Sequence, residues 1–250
     1  MMSRIALVTG GGSGIGRTAC LALSSAGFVI ALIGRRAEPL EKVAQEIRAT
    51  GSEALPLTCD VADEAQVAKV FATIRKTYGR LDLLFNNAGL FSPPGLLEDV
   101  DVAAWKAVVD VNLNGAYYCT QHAFRIMKEQ KPQGGRIINN GSISATAPRP
   151  NSAAYTATKH AITGLTKSAA LDGRKYDIAV SQIDIGNAET EMTGRMKAGV
   201  PQANGTIAPE PLMDLKHVGD ALIYMAGLPL EANVQFMTVM ATKMPFVGRG

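Results

Sequence analysis

Cysteine is scarce in this 250-residue chain: Cys20, Cys59 and Cys119 stand far apart, with no partner at metal-ligand spacing. A disulfide scaffold and a cysteine zinc site are therefore excluded, and His122, His160 and His217 are equally isolated, so no metal is expected. An excess of one charge is missing too. The 25 basic and 22 acidic residues leave a net +3 without the basic stripe of a nucleic-acid-binding surface, so no nucleic-acid partner is expected. Long hydrophobic runs are also lacking. The first apolar run, residues 5–8, is too short for a signal peptide or a membrane span, so a cytoplasmic protein with no membrane partner is expected. What the chain does have is core material: 47% hydrophobic against 19% charged residues is too apolar for disorder. With no linker, repeat or low-complexity tract, a single domain spanning 1–250 is the expectation.

Apolar runs at 5–8, 28–33, 55–58, 81–85, 135–139 and 178–183 alternate with helix-period segments, among them 15–26, 40–49 and 65–78. Runs with no polar alternation suit strands buried on both faces, and the βα alternation makes those strands parallel. Gly27, Gly51 and Gly79 read as helix C-caps. The expected fold is α/β, a Rossmann-type doubly wound parallel β-sheet flanked by helices on both faces, with a last strand from the run at 236–241. Residues 194–211 break the pattern. Pro201, Pro209 and Pro211 bracket small and polar residues there, which predicts a mobile substrate loop with Met192, Met196 and Val200 as its apolar candidates.

The first strand runs into Thr9-Gly10-Gly11-Gly12-Ser13-Gly14-Ile15-Gly16, and a helix begins there. Glycines in a strand-to-helix turn let the backbone approach a pyrophosphate, while unpaired N–H groups and the helix dipole face it. Gly10, Gly14 and Gly16 give the spacing GxxxGxG. A dinucleotide site usually carries an acidic residue after the second strand, to bond the ribose hydroxyls. Here that place reads Gly34-Arg35-Arg36, which suits a 2′-phosphate and offers nothing special to a bare hydroxyl, so NADP(H) is favoured and NAD disfavoured. Asp60-Val61 follows the third strand and Asn86-Asn87-Ala88-Gly89 the fourth, both at the carboxyl edge where such sheets bind ligands. Asp60 is a candidate acceptor for the adenine amino group.

Tyr155 and Lys159 stand four apart on a predicted helix and so share one face. A phenol with a pKa of about 10 is a poor base at neutral pH, and a cation about 4 Å away supplies about 4 kcal/mol toward lowering it. Such a pair arises readily by chance. Its weight comes from Ser142, which follows the strand 137–141 at the same carboxyl edge.

In this order, the residues resemble the short-chain dehydrogenase/reductase family from Thr9 to about Thr193. The resemblance implies that Ser142 bonds the substrate oxygen, Tyr155 transfers the proton, and Lys159 lowers its pKa and holds the nicotinamide ribose. It also implies that Asn112, in Val111-Asn112-Leu113-Asn114-Gly115, positions a proton-relay water. Thr9, Ser13, Ile15, Asn87, Ala88 and Gly89, with Ile185, Gly186 and Thr190, would then complete the cofactor site. Two places depart from the family. Asp184-Ile185-Gly186-Asn187 stands where Pro-Gly is usual, and the C-terminal stretch lacks the common Asp-Gly-Gly. The function expected is hydride transfer between NADP(H) and a carbonyl or secondary alcohol, with ketone reduction the favoured direction, in a homo-oligomer (dimer or tetramer) contacting through 103–127 and 155–171. The alternative is a catalytically silent NADP(H)-binding redox sensor, against which an intact Ser142, Tyr155 and Lys159 argue. A nucleotide-sugar epimerase is disfavoured by the short chain and the glycine spacing.

Overall fold

The computed structural model describes residues 3–91 and 94–247, and the side chains of Glu191, Met192 and Arg195 lie outside that description. In chain order the elements are β1 (Arg4–Thr9), α1 (Gly14–Ser25), β2 (Phe28–Gly34), α2 (Ala37–Ala49), β3 (Ala54–Thr58), α3 (Glu64–Tyr78) and β4 (Leu83–Asn86). Next come α4 (Val102–Val109), α5 (Gly115–Glu129), β5 (Gly135–Asn140), α6 (Ala153–Gly173) and β6 (Ile178–Gly186). The chain closes with β7 (Val200–Pro201), β8 (Ile207–Ala208), α7 (Leu215–Gly227) and β9 (Phe236–Met240).

Seven strands form one parallel sheet in the order β3-β2-β1-β4-β5-β6-β9. The strands are uniformly apolar because both faces are covered. Ala6 and Val8 of β1 pack with Ile30 and Leu32 against α1, α2 and α7, while Ile5 and Leu7 pack with Ala31 and Ile33 against α3, α5 and α6. Gly27, Gly51 and Gly79 all take positive φ at helix ends, as their positions predict. The winding reverses between β1 and β4, and a doubly wound sheet opens a crevice at such a switch point. At the far edge, the Arg136 guanidinium bonds the carbonyls of Leu228, Pro229 and Ala232 and the side chain of Asn233, pinning the turn that leads into β9.

Residues 194–211, expected as a loop in place of a strand or long helix, contain short regular pieces. They hold the end of a 3₁₀ helix (Glu191–Lys197) and the antiparallel β7–β8 hairpin. Their proline content limited the regular hydrogen bonding to short pieces without abolishing it. Among the described residues no helix is long and apolar enough to cross a membrane, and no cluster of potential metal ligands occurs.

Candidate active site

Along the carboxyl edge of the sheet runs a cleft of about 1310 Å³, from the Gly10–Gly16 turn past Arg35 and Arg36 to Ser142, Tyr155 and Lys159. The glycine turn is shaped by close approach. Gly14 takes φ +49°, and a side chain on Gly16 would run into the Gly10 carbonyl, so the start of α1 lies directly on the turn. Ser13 caps α1 without a side-chain bond, and the first turn carries no acidic residue. The free N–H groups and the positive end of the dipole therefore face the cleft, as an anion requires. Arg35 and Arg36 are exposed at the cleft wall, and among the described residues neither makes an ion pair. An open helix N-terminus beside two unpaired guanidiniums fits a dinucleotide carrying an extra phosphate.

The cleft also takes in Ser13, Ile15, Asp60, Val61, Asn87, Ala88, Gly89, Ile185 and Thr190. Three of the expected site residues fall behind its wall. The Thr9 hydroxyl accepts from the backbone N–H groups of Asn87 and Ala88, both at 2.8 Å, and so joins the ends of β1 and β4. Gly186 is a packing glycine, since a side chain there would press on Met240, Met244 and Ile143. Asn112, buried in a widened turn between α4 and α5, uses its carboxamide to grip both the N–H and the carbonyl of Leu90, at 2.7 and 2.9 Å. Two further residues lie in the cleft but are engaged with protein. Asn87 bonds the carbonyl of Thr9 and receives a bond from Asn140, and one oxygen of Asp60 accepts from Ala62.

At the catalytic end, the Ser142 hydroxyl accepts from the Ser144 N–H at 3.1 Å and stands close enough to the Tyr155 phenol to act on it. Burial pushes that phenol up to about 12, while the Ser142 hydroxyl and the Arg149 charge pull it down and the Asp184 charge pushes it up. The Lys159 ammonium donates to the Asn140 carbonyl at 2.7 Å and sits 5.5 Å from the Tyr155 ring centroid. Burial pulls the lysine itself down to about 8, against the Asp184 charge. Four residues of helix bring the two side chains to one face, but the nearest acceptor takes the ammonium. Phe91 tilts against the Tyr155 ring with centroids 4.5 Å apart.

Sequence reasoning missed the residues that frame the substrate end. Asn187, at φ +55° in place of the usual proline-glycine turn, lies in one cluster with Arg149 and Glu210. Arg149 grips both Glu210 oxygens at 2.6 Å, and Gln202 adds a bond at 3.0 Å. The one signal available was Asn187 itself, because a departure from a resembled pattern marks a place where something else must satisfy the turn.

A switch-point cleft with a glycine anion turn and a Ser-Tyr-Lys end defines a nucleotide-binding α/β enzyme site. The model of the short chain dehydrogenase family matches residues 4–200, and the chain belongs to that family of oxidoreductases. Levodione reductase of Leifsonia aquatica is 31% identical over 98% of this chain and 93% of its own length. An actinorhodin polyketide ketoreductase solved with NADPH superposes with a TM-score of 0.86 at 26% identity, covering 95% of this chain and 96% of that one. A 3-ketoacyl-(acyl-carrier-protein) reductase of Brucella melitensis solved with NADH gives 0.85 at 27% identity, covering 97% and 99%.

Proposed function

We propose that this protein is an NADP(H)-dependent reductase of ketones. The observation that carries the reading is one cleft with Arg35 and Arg36 at one end and Ser142, Tyr155 and Lys159 at the other. Bound NADP(H) supplies the hydride. Gly14 and Gly16 admit the pyrophosphate to the start of α1, and the two arginines bond the 2′-phosphate. Tyr155, held protonated by its burial, gives its proton to the substrate oxygen as that oxygen gains charge, and Ser142 donates a hydrogen bond to the same atom. Lys159 supplies positive charge beside the ribose and the phenol. The neighbours support a carbonyl substrate, being by name a levodione reductase, a polyketide ketoreductase and a 3-ketoacyl-(acyl-carrier-protein) reductase. Exposed Leu97, Val102, Tyr117 and Leu171, on and beside α4, α5 and α6, support a homo-oligomer.

The test follows NADPH absorbance with cyclohexane-1,4-dione, a 3-ketoacyl thioester, a sugar ketone and a steroid ketone. Wild type turns over at least one of these, and Tyr155→Phe loses that turnover by a hundredfold or more while still binding NADPH. A protein that binds NADPH but reduces none of them is a sensor, and the reading is then wrong.

A further inference from the structure

Behind Ser142 lies a charged group that none of the steps above uses. Asp184 is 8% exposed, on the face of β6 that looks toward α6. Its Oδ1 accepts from the backbone N–H of Ser142 at 2.9 Å and from Gln182 Nε2 at 2.8 Å. A side chain on Gly141 would collide with this same oxygen, so the carboxylate sits directly against the strand end that carries the serine.

The carboxylate also ends a buried polar row. Asn86, Asn139 and Gln182 are in register across β4, β5 and β6. Asn86 Nδ2 donates to Asn139 Oδ1 at 2.9 Å, and Asn139 Nδ2 donates to Thr166 Oγ1 at 2.9 Å. The Thr166 hydroxyl lies 3.1 Å from Gln182 Oε1, and Gln182 Nε2 goes on to Asp184. The row is branched, since the Thr166 hydroxyl also meets the Ile162 carbonyl at 2.8 Å and Gln182 Nε2 also donates to Thr163 at 3.0 Å, and at its β6 end the Asp184 carboxylate is the acceptor. Its last donor is the Ser142 main chain. On the other side of the same tripeptide, Lys159 holds the Asn140 carbonyl and Ile183 accepts from the Gly141 N–H at 2.8 Å.

We propose that Asp184 is a positioning residue for the reaction: by anchoring the Ser142 N–H at the end of this row, it aims the Ser142 hydroxyl at the substrate oxygen. The proposal rests on the reading of Ser142 given above. The Ser142 hydroxyl caps the short 3₁₀ turn Ile143–Ala145 and accepts from the Ser144 N–H at 3.1 Å, so its direction follows the Ser142 main chain, and a shift of one ångström in such a group costs a large share of its effect. The carboxylate fixes that main chain at the one N–H between the last strand bond, Gly141 to Ile183, and the cap of the turn.

Two readouts test this. Amide exchange of Ser142, followed by NMR in the free protein, is slow in wild type and in Asp184→Asn, which keeps an acceptor oxygen, and fast in Asp184→Ala. Reduction of cyclohexane-1,4-dione or the best ketone of the panel by NADPH then gives a mutant cycle. Asp184→Ala lowers kcat roughly ten- to hundredfold, the scale of one hydrogen bond to a charged group, with NADPH affinity unchanged. Asp184→Asn restores most of that loss, and in a Ser142→Ala background the Asp184→Ala change costs less than about threefold. Should Asp184→Ala fail to fold, Asp184→Ser, too short to reach the amide, is read the same way. An equal loss in both backgrounds, or Ser142 protection that is unchanged without the carboxylate, overturns the proposal. A wild type that reduces none of the ketones defeats the function proposed for the site, and the exchange measurement then decides the anchor alone.

Discussion

Arg36 stands at the N-cap of α2 with extended backbone and no side-chain cap, and Arg35 precedes it. Cations at the positive end of a helix dipole are unfavourable, and Glu38 is the one acidic residue in the first turn. A phosphate bound there relieves that repulsion as well as making its own bonds. If the pair contributes about 2.8 kcal/mol of charge-assisted bonding, NADPH binds about a hundredfold more tightly than NADH. In an Arg35→Ala, Arg36→Ala double variant the preference falls to within a few-fold, as titration of nicotinamide fluorescence measures, and a preference left intact places the selectivity elsewhere. The place of these arginines at the cleft wall was legible, because they directly follow β2 and the cleft runs along the carboxyl ends of the strands. The direction of the Lys159 ammonium was not. Tyr155 and Lys159 are four apart in any helix, but the carbonyl that takes the ammonium belongs to Asn140, on a strand reached through nineteen residues of chain.

Segment 194–211 is built as an element held by a latch. The β7–β8 hairpin has two residues per strand, too few to be stable alone, and Glu210, two residues past its second strand, binds Arg149 on the loop after β5 and Asn187 at the end of β6. The Glu210 N–H also bonds the Met196 carbonyl. Met196, Val200 and Pro201 line the cleft. Hydrogen exchange across 194–211 is therefore expected to slow when NADPH and a reducible ketone are both present, and to quicken in Arg149→Met without ligand. Equal rates in all three states would show that the segment neither closes nor is latched. Its composition marked the segment as apart from the βα alternation, and the glycines and prolines explain why. The latch escaped notice because its partners, 61 residues apart, meet only when the carboxyl ends of β5 and β6 are side by side.

At the scale of the whole molecule, the same latch joins three segments and ties stability to pH. Burial alone would push the Glu210 carboxyl up. Bonds from Arg149, Asn187 and Gln202, with the Arg149 charge, outweigh burial and hold it at about 2, below its ordinary 4.5. A carboxyl depressed by folding stabilises the fold above its unfolded pKa and loses that contribution as pH falls through its folded one. Urea unfolding is expected to find wild type more stable than Glu210→Gln by up to about 3 kcal/mol at neutral pH, the gap closing between about pH 4.5 and 2. A gap that does not change with pH would assign the loss to packing. The parallel sheet, its helices and the glycine turn were determined by the sequence itself, because periodicity, caps and close approach act over a few residues. Only the tertiary structure decided that Thr9, Asn112 and Gly186 stand behind the cleft wall, that Asp184 meets Ser142, and that Glu210 finds Arg149. These are contacts between chain segments far apart in sequence, and strand register, which sets which side chains share a row, exists only once the sheet has formed.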